Sequence, residues 1–245
     1  MHSTADMNNT VGSRPLYKQV YDSLANRISE GDWKPAQSLP SEFALAAELG
    51  VSQGTVRKAL TELETDKVVE RRQGKGTFVS EHTDEDSNFR FFRLTRRDGS
   101  RLMPTGKIES IHRRPANRLE RTVFGFEESD DVIEICRLRI VDDLPCATEN
   151  IVIPHRLFPD IEKSTSLTTS LYPLYQREFG IHVVNAEEQL RSEIANKQQA
   201  KRLKAPIGTP LLRVDRIAHT IHGQAVERRT SRLDTRNYSY SVMVN

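Results

Sequence analysis

The 245-residue sequence has little of what would tie a protein to a membrane, a secretory route or a metal. No apolar run approaches the ~20 residues that cross a bilayer. The opening stretch Met1–Ser13 is polar and lacks the apolar core of a signal peptide. The only cysteines, Cys136 and Cys146, are too few for a disulfide framework, and neither stands at metal-ligand spacing. Buried free thiols in a reducing cytoplasm are the expectation. His219 and His222 stand close on a strand and turn with no third ligand nearby, so no metal site is expected. No nucleophile is paired with a base, which leaves no catalytic residue to nominate and no cofactor implied. An excess of charge of one sign is also missing. The net charge is +2, and residues 1–80 hold ten Lys/Arg and ten Asp/Glu. A nucleic-acid-binding domain normally shows a basic footprint, so any such role here must come from how the charges are distributed.

What is present begins with Leu39-Pro-Ser-Glu-Phe-Ala-Leu-Ala-Ala-Glu-Leu-Gly-Val-Ser-Gln-Gly-Thr-Val-Arg-Lys-Ala-Leu60. It reads as two short helices, near Ser41–Leu49 and Ser52–Asp66, meeting at Gly50. Glycine suits the left-handed turn between them, and Ser52 suits the N-cap of the second helix. Ala46 allows a close crossing and Val56 fills the angle between the helices. This spacing is that of a helix-turn-helix, although an ordinary αα-hairpin core can share it. The flanks decide between the two. Leu16, Val20, Leu24 and Ile28 predict an amphipathic helix over Leu16–Glu30 before the motif, stopped by Gly31. After it, Val68–Val79 predicts a β-hairpin with Gly74-Lys75-Gly76 at its tip, placed as the wing of a winged helix. A recognition helix presents its first turns to base edges. That nominates Ser52, Gln53, Gly54, Thr55 and Arg57 as DNA contacts, with Ser41 and Glu42 opening the preceding helix towards a phosphate and Lys75 and Gly76 at the wing.

Pro15-Leu-Tyr-Lys-Gln-Val, Leu39-Pro-Ser-Glu, Leu49-Gly-Val-Ser, Thr55-Val-Arg-Lys-Ala-Leu and Gly74-Lys-Gly-Thr-Phe-Val together resemble the N-terminal domain of the GntR family of bacterial transcription regulators. Many members of that family carry arginine where this chain has Phe43 and Gln53. The resemblance therefore implies DNA binding without implying the family's usual operator.

The acidic stretch from Ser80, which shows no periodicity, reads as a linker over residues 81–89. Beyond it lies an α+β domain, residues 90–245, after the 14–80 DNA-binding domain. Strands are expected at Phe91–Leu94, Gly106–Arg113, Val132–Val141, Cys146–Val152, Ala186–Ile194, Leu211–His219, Gln224–Ser231 and Tyr238–Val244. Helices are expected near Ala116–Phe124, Ser170–Phe179 and Lys197–Leu203. Arg137-Leu-Arg-Ile, Ile153-Pro, Leu157-Phe-Pro, Phe179-Gly-Ile, Gly208-Thr-Pro-Leu-Leu-Arg and Gly223-Gln-Ala-Val-Glu resemble the UTRA sensing domain of the HutC branch of the same family. The resemblance implies the chorismate-lyase-like fold, a central antiparallel sheet with flanking helices.

Arg137 and Arg139 stand two apart on a predicted strand and so share one face, where paired guanidinium groups suit a phosphate or carboxylate. Glu149, Ser170 and Glu227 fall at further positions that the resemblance assigns to ligand. A solvent-facing Arg–Glu ion pair is the alternative for the arginines. The run Arg228-Arg-Thr-Ser-Arg-Leu233 departs from the Tyr- and Ser-rich pattern of some sugar-phosphate sensors, so the identity of the effector does not transfer. The function expected is that of a cytoplasmic, metabolite-responsive repressor, binding a palindromic double-stranded DNA operator as a homodimer and released by a small anionic metabolite, a sugar phosphate or carboxylate. The alternatives are an enzyme on the chorismate-lyase-like fold and a DNA-binding protein without an effector. Val132–Val141 and the tail Tyr238–Val244 are candidate dimer-forming elements.

Overall fold

The structure, a computed structural model, describes residues 14–164, 167 and 170–242. The polar N-terminal stretch and the last residues of the tail therefore lie outside the described residues. The chain divides into two compact units, with the break between Val79 and Ser80.

In the first unit, helix α1 (Leu16–Glu30) and helix α2 (Glu42–Leu49) both pack on helix α3 (Gln53–Thr65). Local chemistry sets each boundary. Ser41 Oγ accepts from Ala44 N at the start of α2, and Ser52 Oγ accepts from Thr55 N at the start of α3, both at 3.1 Å. Between them Gly50 takes φ 65°, a value that a β-branched or bulky residue would resist. Val20 and Leu24 of α1, Leu45 and Ala46 of α2, and Val56, Ala59, Leu60 and Leu63 of α3 are buried. The small residue before the turn and the β-branched residue after it thus belong to the core between helices. Strands β1 (Val69–Arg72) and β2 (Gly76–Val79) pair antiparallel, with Arg72 opposite Gly76. Helix–turn–helix followed by hairpin is the winged-helix order.

The second unit opens differently from the expected linker. Helix α4 (Asp84–Phe91) occupies most of that stretch and packs on helix α6 (Leu171–Phe179). Ser87 and Phe91, four apart, give it a buried side. Asp84 and Glu85, whose acidity suggested a solvated tether, lie exposed in its first turn, where negative charge favours a helix N-terminus. Phe91 is consequently the last residue of a helix, and the first strand of this unit is β3 (Leu94–Arg96). The tail forms β10 (Tyr238–Tyr240), antiparallel to β3.

The body of the unit is a six-stranded antiparallel sheet in the order β4-β5-β6-β9-β8-β7. Its strands are β4 (Thr105–Pro115), β5 (Asp131–Val141), β6 (Leu144–Pro154), β7 (Val183–Ile194), β8 (Pro210–Thr220) and β9 (Ala225–Asp234), with helices α5 (Arg118–Phe124) and α7 (Lys197–Leu203) in the connections. β5 lies between β4 and β6 with both backbone edges hydrogen-bonded, so it offers no free edge to a second copy. Ile133 and Ile135 of β5, Ile151 and Ile153 of β6, and Val226 of β9 form one cluster with Leu171, Leu174 and Tyr175 of α6. Cys146 is buried and Cys136 half-buried, and both are free thiols. No described helix is long and apolar enough to cross a membrane.

Candidate functional site

In the first unit the predicted DNA-contact residues separate into two groups. The hydroxyls of Ser41 and Ser52 are spent on capping, and Ser52 Oγ also meets Thr55 Oγ1 at 2.8 Å. Glu42, Gln53 and Arg57 come together. Glu42 Oε2 accepts from Gln53 Nε2 at 3.3 Å and from Arg57 Nε at 2.9 Å. The Arg57 hydrogen bond above all holds the Glu42 carboxyl below its ordinary range. Arg71 of β1, which the sequence did not single out, lies 3.8 Å from Glu42 and donates to Glu64 at 3.2 Å and to Thr61 Oγ1 at 3.1 Å, tying the hairpin to α3. Lys75 is exposed at the wing tip. Gly76 beside it takes φ 115°, which an L side chain would strain. Gly54 lies in the exposed first turn of α3, and Phe43 is 75% exposed beside Glu42.

In the second unit, the strand register builds a row of charge on one sheet face. Arg137 of β5 pairs with Glu149 of β6, which pairs with Ser231 of β9. One step along, Ile135 is followed across the sheet by Ile151, Arg229, Arg216 and Glu188. Side chains of directly paired residues lie on the same face, so five strands bring Arg137, Arg216, Arg229, Glu149 and Glu188 to one place, with Arg139 next along β5. The ion pairs follow. Arg137 Nε donates to Glu149 Oε2 at 2.6 Å, Arg229 Nη1 donates to Glu149 Oε1 at 3.3 Å, and Arg216 Nε donates to Glu188 Oε1 at 2.7 Å. Arg139 Nη2 donates to the carbonyl of Pro104 at 3.1 Å. The cluster is buried, with Arg137 at 1% and Arg139 at 2% exposure, so the solvent-facing ion pair weighed from the sequence is not what forms.

A small hollow opens onto Arg137, Arg139, Arg216 and Arg229, with Ser170 and Tyr172 on its wall. Ser170 precedes α6, and its backbone N donates to Asp84 Oδ1 at 3.2 Å. Its hydroxyl makes no capping hydrogen bond. Glu227 stands behind the hollow. It accepts from Tyr172 and Tyr175 hydroxyls at 3.1 and 2.8 Å and from Arg229 Nε and Nη2 at 2.9 and 2.7 Å, so it holds Arg229 in place. Arg216, Arg229 and Tyr172 were missed by the sequence reading. The signal that could have found the arginines is alternation, since Val214/Arg216/Ala218 and Glu227/Arg229/Ser231 each put an arginine on the face of core residues.

The charges respond to this crowding. Burial would raise the Glu149 carboxyl, but Arg137, Arg229 and Arg139 together hold it well below the usual carboxylate range. Burial and then Glu227 push the Tyr172 phenol up to about 12. Burial and then the guanidinium of Arg137 pull Arg139 down to about 9. Four guanidinium groups, those of Arg137, Arg139, Arg216 and Arg229, meet at this hollow. Forked cations in a low-dielectric site suit a small anion.

A winged helix joined to a sheet domain with a buried, arginine-lined hollow defines a DNA-binding transcription regulator that responds to a small molecule. Residues 16–79 match the bacterial regulatory proteins of the gntR family, and residues 100–239 match the UTRA domain. The chain belongs to the GntR family of bacterial regulatory proteins, in its HutC-like, UTRA-containing branch. It is 31% identical over 205 residues to the probable fructoselysine utilization operon transcriptional repressor of Escherichia coli (strain K12), covering 83% of this chain and 84% of that one. To the HTH-type transcriptional repressor NagR of Bacillus subtilis (strain 168) it is 29% identical over 224 residues, 89% of each chain. PhnF from Mycobacterium smegmatis shares the fold at a TM-score of 0.56 and 21% identity, over 92% of this chain and 99% of that one. The first two relatives are named transcriptional repressors, and the chain is a transcription regulator rather than an enzyme.

Proposed function

We propose that the protein represses transcription by binding a palindromic operator as a homodimer, and that a small anionic metabolite, a sugar phosphate or carboxylate, releases it. The observation that carries the effector half is the convergence of Arg137, Arg139, Arg216 and Arg229 on one hollow. Arg137 and Arg139 clamp the anion, and Ser170 adds its hydroxyl at the wall. Glu149 and Glu227 hold the arginines in register. On the DNA side, Gln53 and Arg57 read base edges from the start of α3, Lys75 meets a phosphate from the wing, and the first turn of α2, with Ser41 and Glu42, approaches the backbone. One winged helix contacts few base pairs, which favours a two-fold pair on two half-sites. A regulator of this kind works in the cytoplasm, where the chromosome is.

Repression and its relief are two sides of one linkage. If the effector weakens operator binding by a given factor, the operator weakens effector binding by the same factor. The test is to select operators from random duplexes and to titrate the winning sequence by fluorescence anisotropy against a panel of sugar phosphates and carboxylic acids. The expected result is a palindromic consensus whose affinity falls by roughly 5- to 150-fold with at least one anion. An operator affinity indifferent to every anion, but lowered by a cationic or neutral metabolite, would contradict the reading.

A further inference from the structure

The arginine-lined hollow has a neighbour. The second hollow shares Phe91, Phe92 and Arg216 with the first, so these residues form a common wall. Its chemistry is different. Leu94, Val214 and Leu233 give it an apolar floor that belongs to one buried hydrophobic cluster, against which Phe92 and Tyr240 also pack. Its polar lining is Arg93, Glu149, Arg216 and Ser231. Glu149 and Ser231 pair across β6 and β9, and Ser231 Oγ meets Glu149 Oε1 at 3.5 Å.

The register also sets the reach. Arg139 of β5 pairs with Ala147 of β6, and Ala147 pairs with Leu233 of β9. Two strand spacings, roughly 10 Å, therefore separate the strand of the paired arginines from the apolar floor. A sugar lying on Leu94, Val214 and Leu233 would leave its hydroxyls without partners there, which is costly away from water. A hydrocarbon group of ring size would instead bury its surface favourably against the same residues. Glu149, held ionised between Arg137 and Arg229, can only accept hydrogen bonds, so it suits a hydroxyl on the piece that joins the two ends.

We propose that the effector is a two-part molecule, with an anionic group in the arginine-lined hollow and an apolar, ring-sized aglycone in the second hollow on Leu94, Val214 and Leu233. The inference rests on the anionic-effector reading above and adds the class of the rest of the ligand. Two matched pairs of probes test it by calorimetry on the full chain. One is glucose phosphorylated on its primary hydroxyl against the phenyl glucoside phosphorylated at the same place. The other is glucuronate against phenyl glucuronide. The two pairs distinguish phosphate from carboxylate, and within each pair only the ring is added. The expected result is that the phenyl member of at least one pair binds tighter than its plain partner by about tenfold or more. Leu233→Gln and the near-isosteric Val214→Thr, each checked for an unchanged melting baseline, should remove that gain while leaving the plain anion's affinity in place. If plain anions bind and the phenyl group adds less than about tenfold in both pairs, or if the gain survives both substitutions, the two-part ligand is wrong while the anion site stands. If neither pair binds while the operator titration still finds a releasing anion, the two-part ligand is wrong and the anion site stands; if that titration finds none, the anion reading falls as well.

Discussion

Glu149→Ala should destabilise the sensing unit by about 3–5 kcal/mol, the scale seen when one partner of a buried ion pair is removed. The side chain is 3% exposed and lies between two guanidinium groups, Arg137 at 2.6 Å and Arg229 at 3.3 Å. Truncation takes the Glu149 carboxylate from Arg137 and leaves Arg229 with Glu227 alone, so buried positive charge loses part of its compensation. Removing one of these positive charges as well, in Glu149→Ala with Arg137→Met, should recover part of the loss, because the burden lies in the imbalance more than in the missing contact. The pH dependence has a definite sign. Burial opposes ionisation, but Arg137 and its neighbours outweigh it, so the folded carboxyl titrates below the ordinary value of 4.5. A depressed carboxyl adds stability that is fully present above the unfolded pKa and is lost as pH falls towards the folded one. Wild type should therefore lose stability on acidification below about pH 4.5 more steeply than Glu149→Ala. Urea titrations followed by circular dichroism measure this. Trp33, the single tryptophan, sits in the other unit and provides a fluorescence control for it. A loss below about 1 kcal/mol would mean that the buried pairs do not depend on Glu149.

Glu42→Ala should cost sequence discrimination rather than affinity. In the free protein the Glu42 carboxylate holds Arg57 at 2.9 Å and Gln53 at 3.3 Å, the two side chains best placed to read bases. Arg57 is otherwise exposed, with 61% of its side chain open. Without Glu42 its guanidinium swings freely and will take the nearest phosphate. A good bidentate base contact is worth about 1–3 kcal/mol of discrimination, so the ratio of specific to non-specific affinity should fall by roughly 5- to 150-fold. Non-specific binding should meanwhile strengthen, with a salt slope steeper by about one phosphate contact. Anisotropy titrations on the selected operator and on a scrambled duplex, at two salt concentrations, report both quantities. An unchanged ratio would show that Glu42 does not orient the reading residues.

The first unit was largely legible because its signals are local. Ser41, Gly50 and Ser52 each act within one turn, and the four-residue spacing of α1 recurs on a single face. The second unit was legible in its strands and less so in its site. Arg137, Arg139 and Glu149 could be placed on shared faces by alternation. Arg216 and Arg229 join them only through the order of β6, β9 and β8, which sequence neighbours do not encode. Glu227 looks like a ligand contact until Tyr172 and Tyr175, more than fifty residues away, occupy it. The stretch read as a linker is a helix because Ser87 and Phe91 find burial in the fold, whereas its acidic composition suggested only solvent. Each miss is one of tertiary context overriding a local reading.

The central claim is that an anion held by the buried arginines loosens the grip on DNA. It is tested most directly by repeating the operator titration with Arg137→Ala in the presence of whichever anion releases the wild type. Arg137 lies in the sensing unit and takes no part in reading DNA, so operator affinity without the anion should be preserved, and the anion should no longer lower it. Release that persists undiminished in Arg137→Ala would contradict the account.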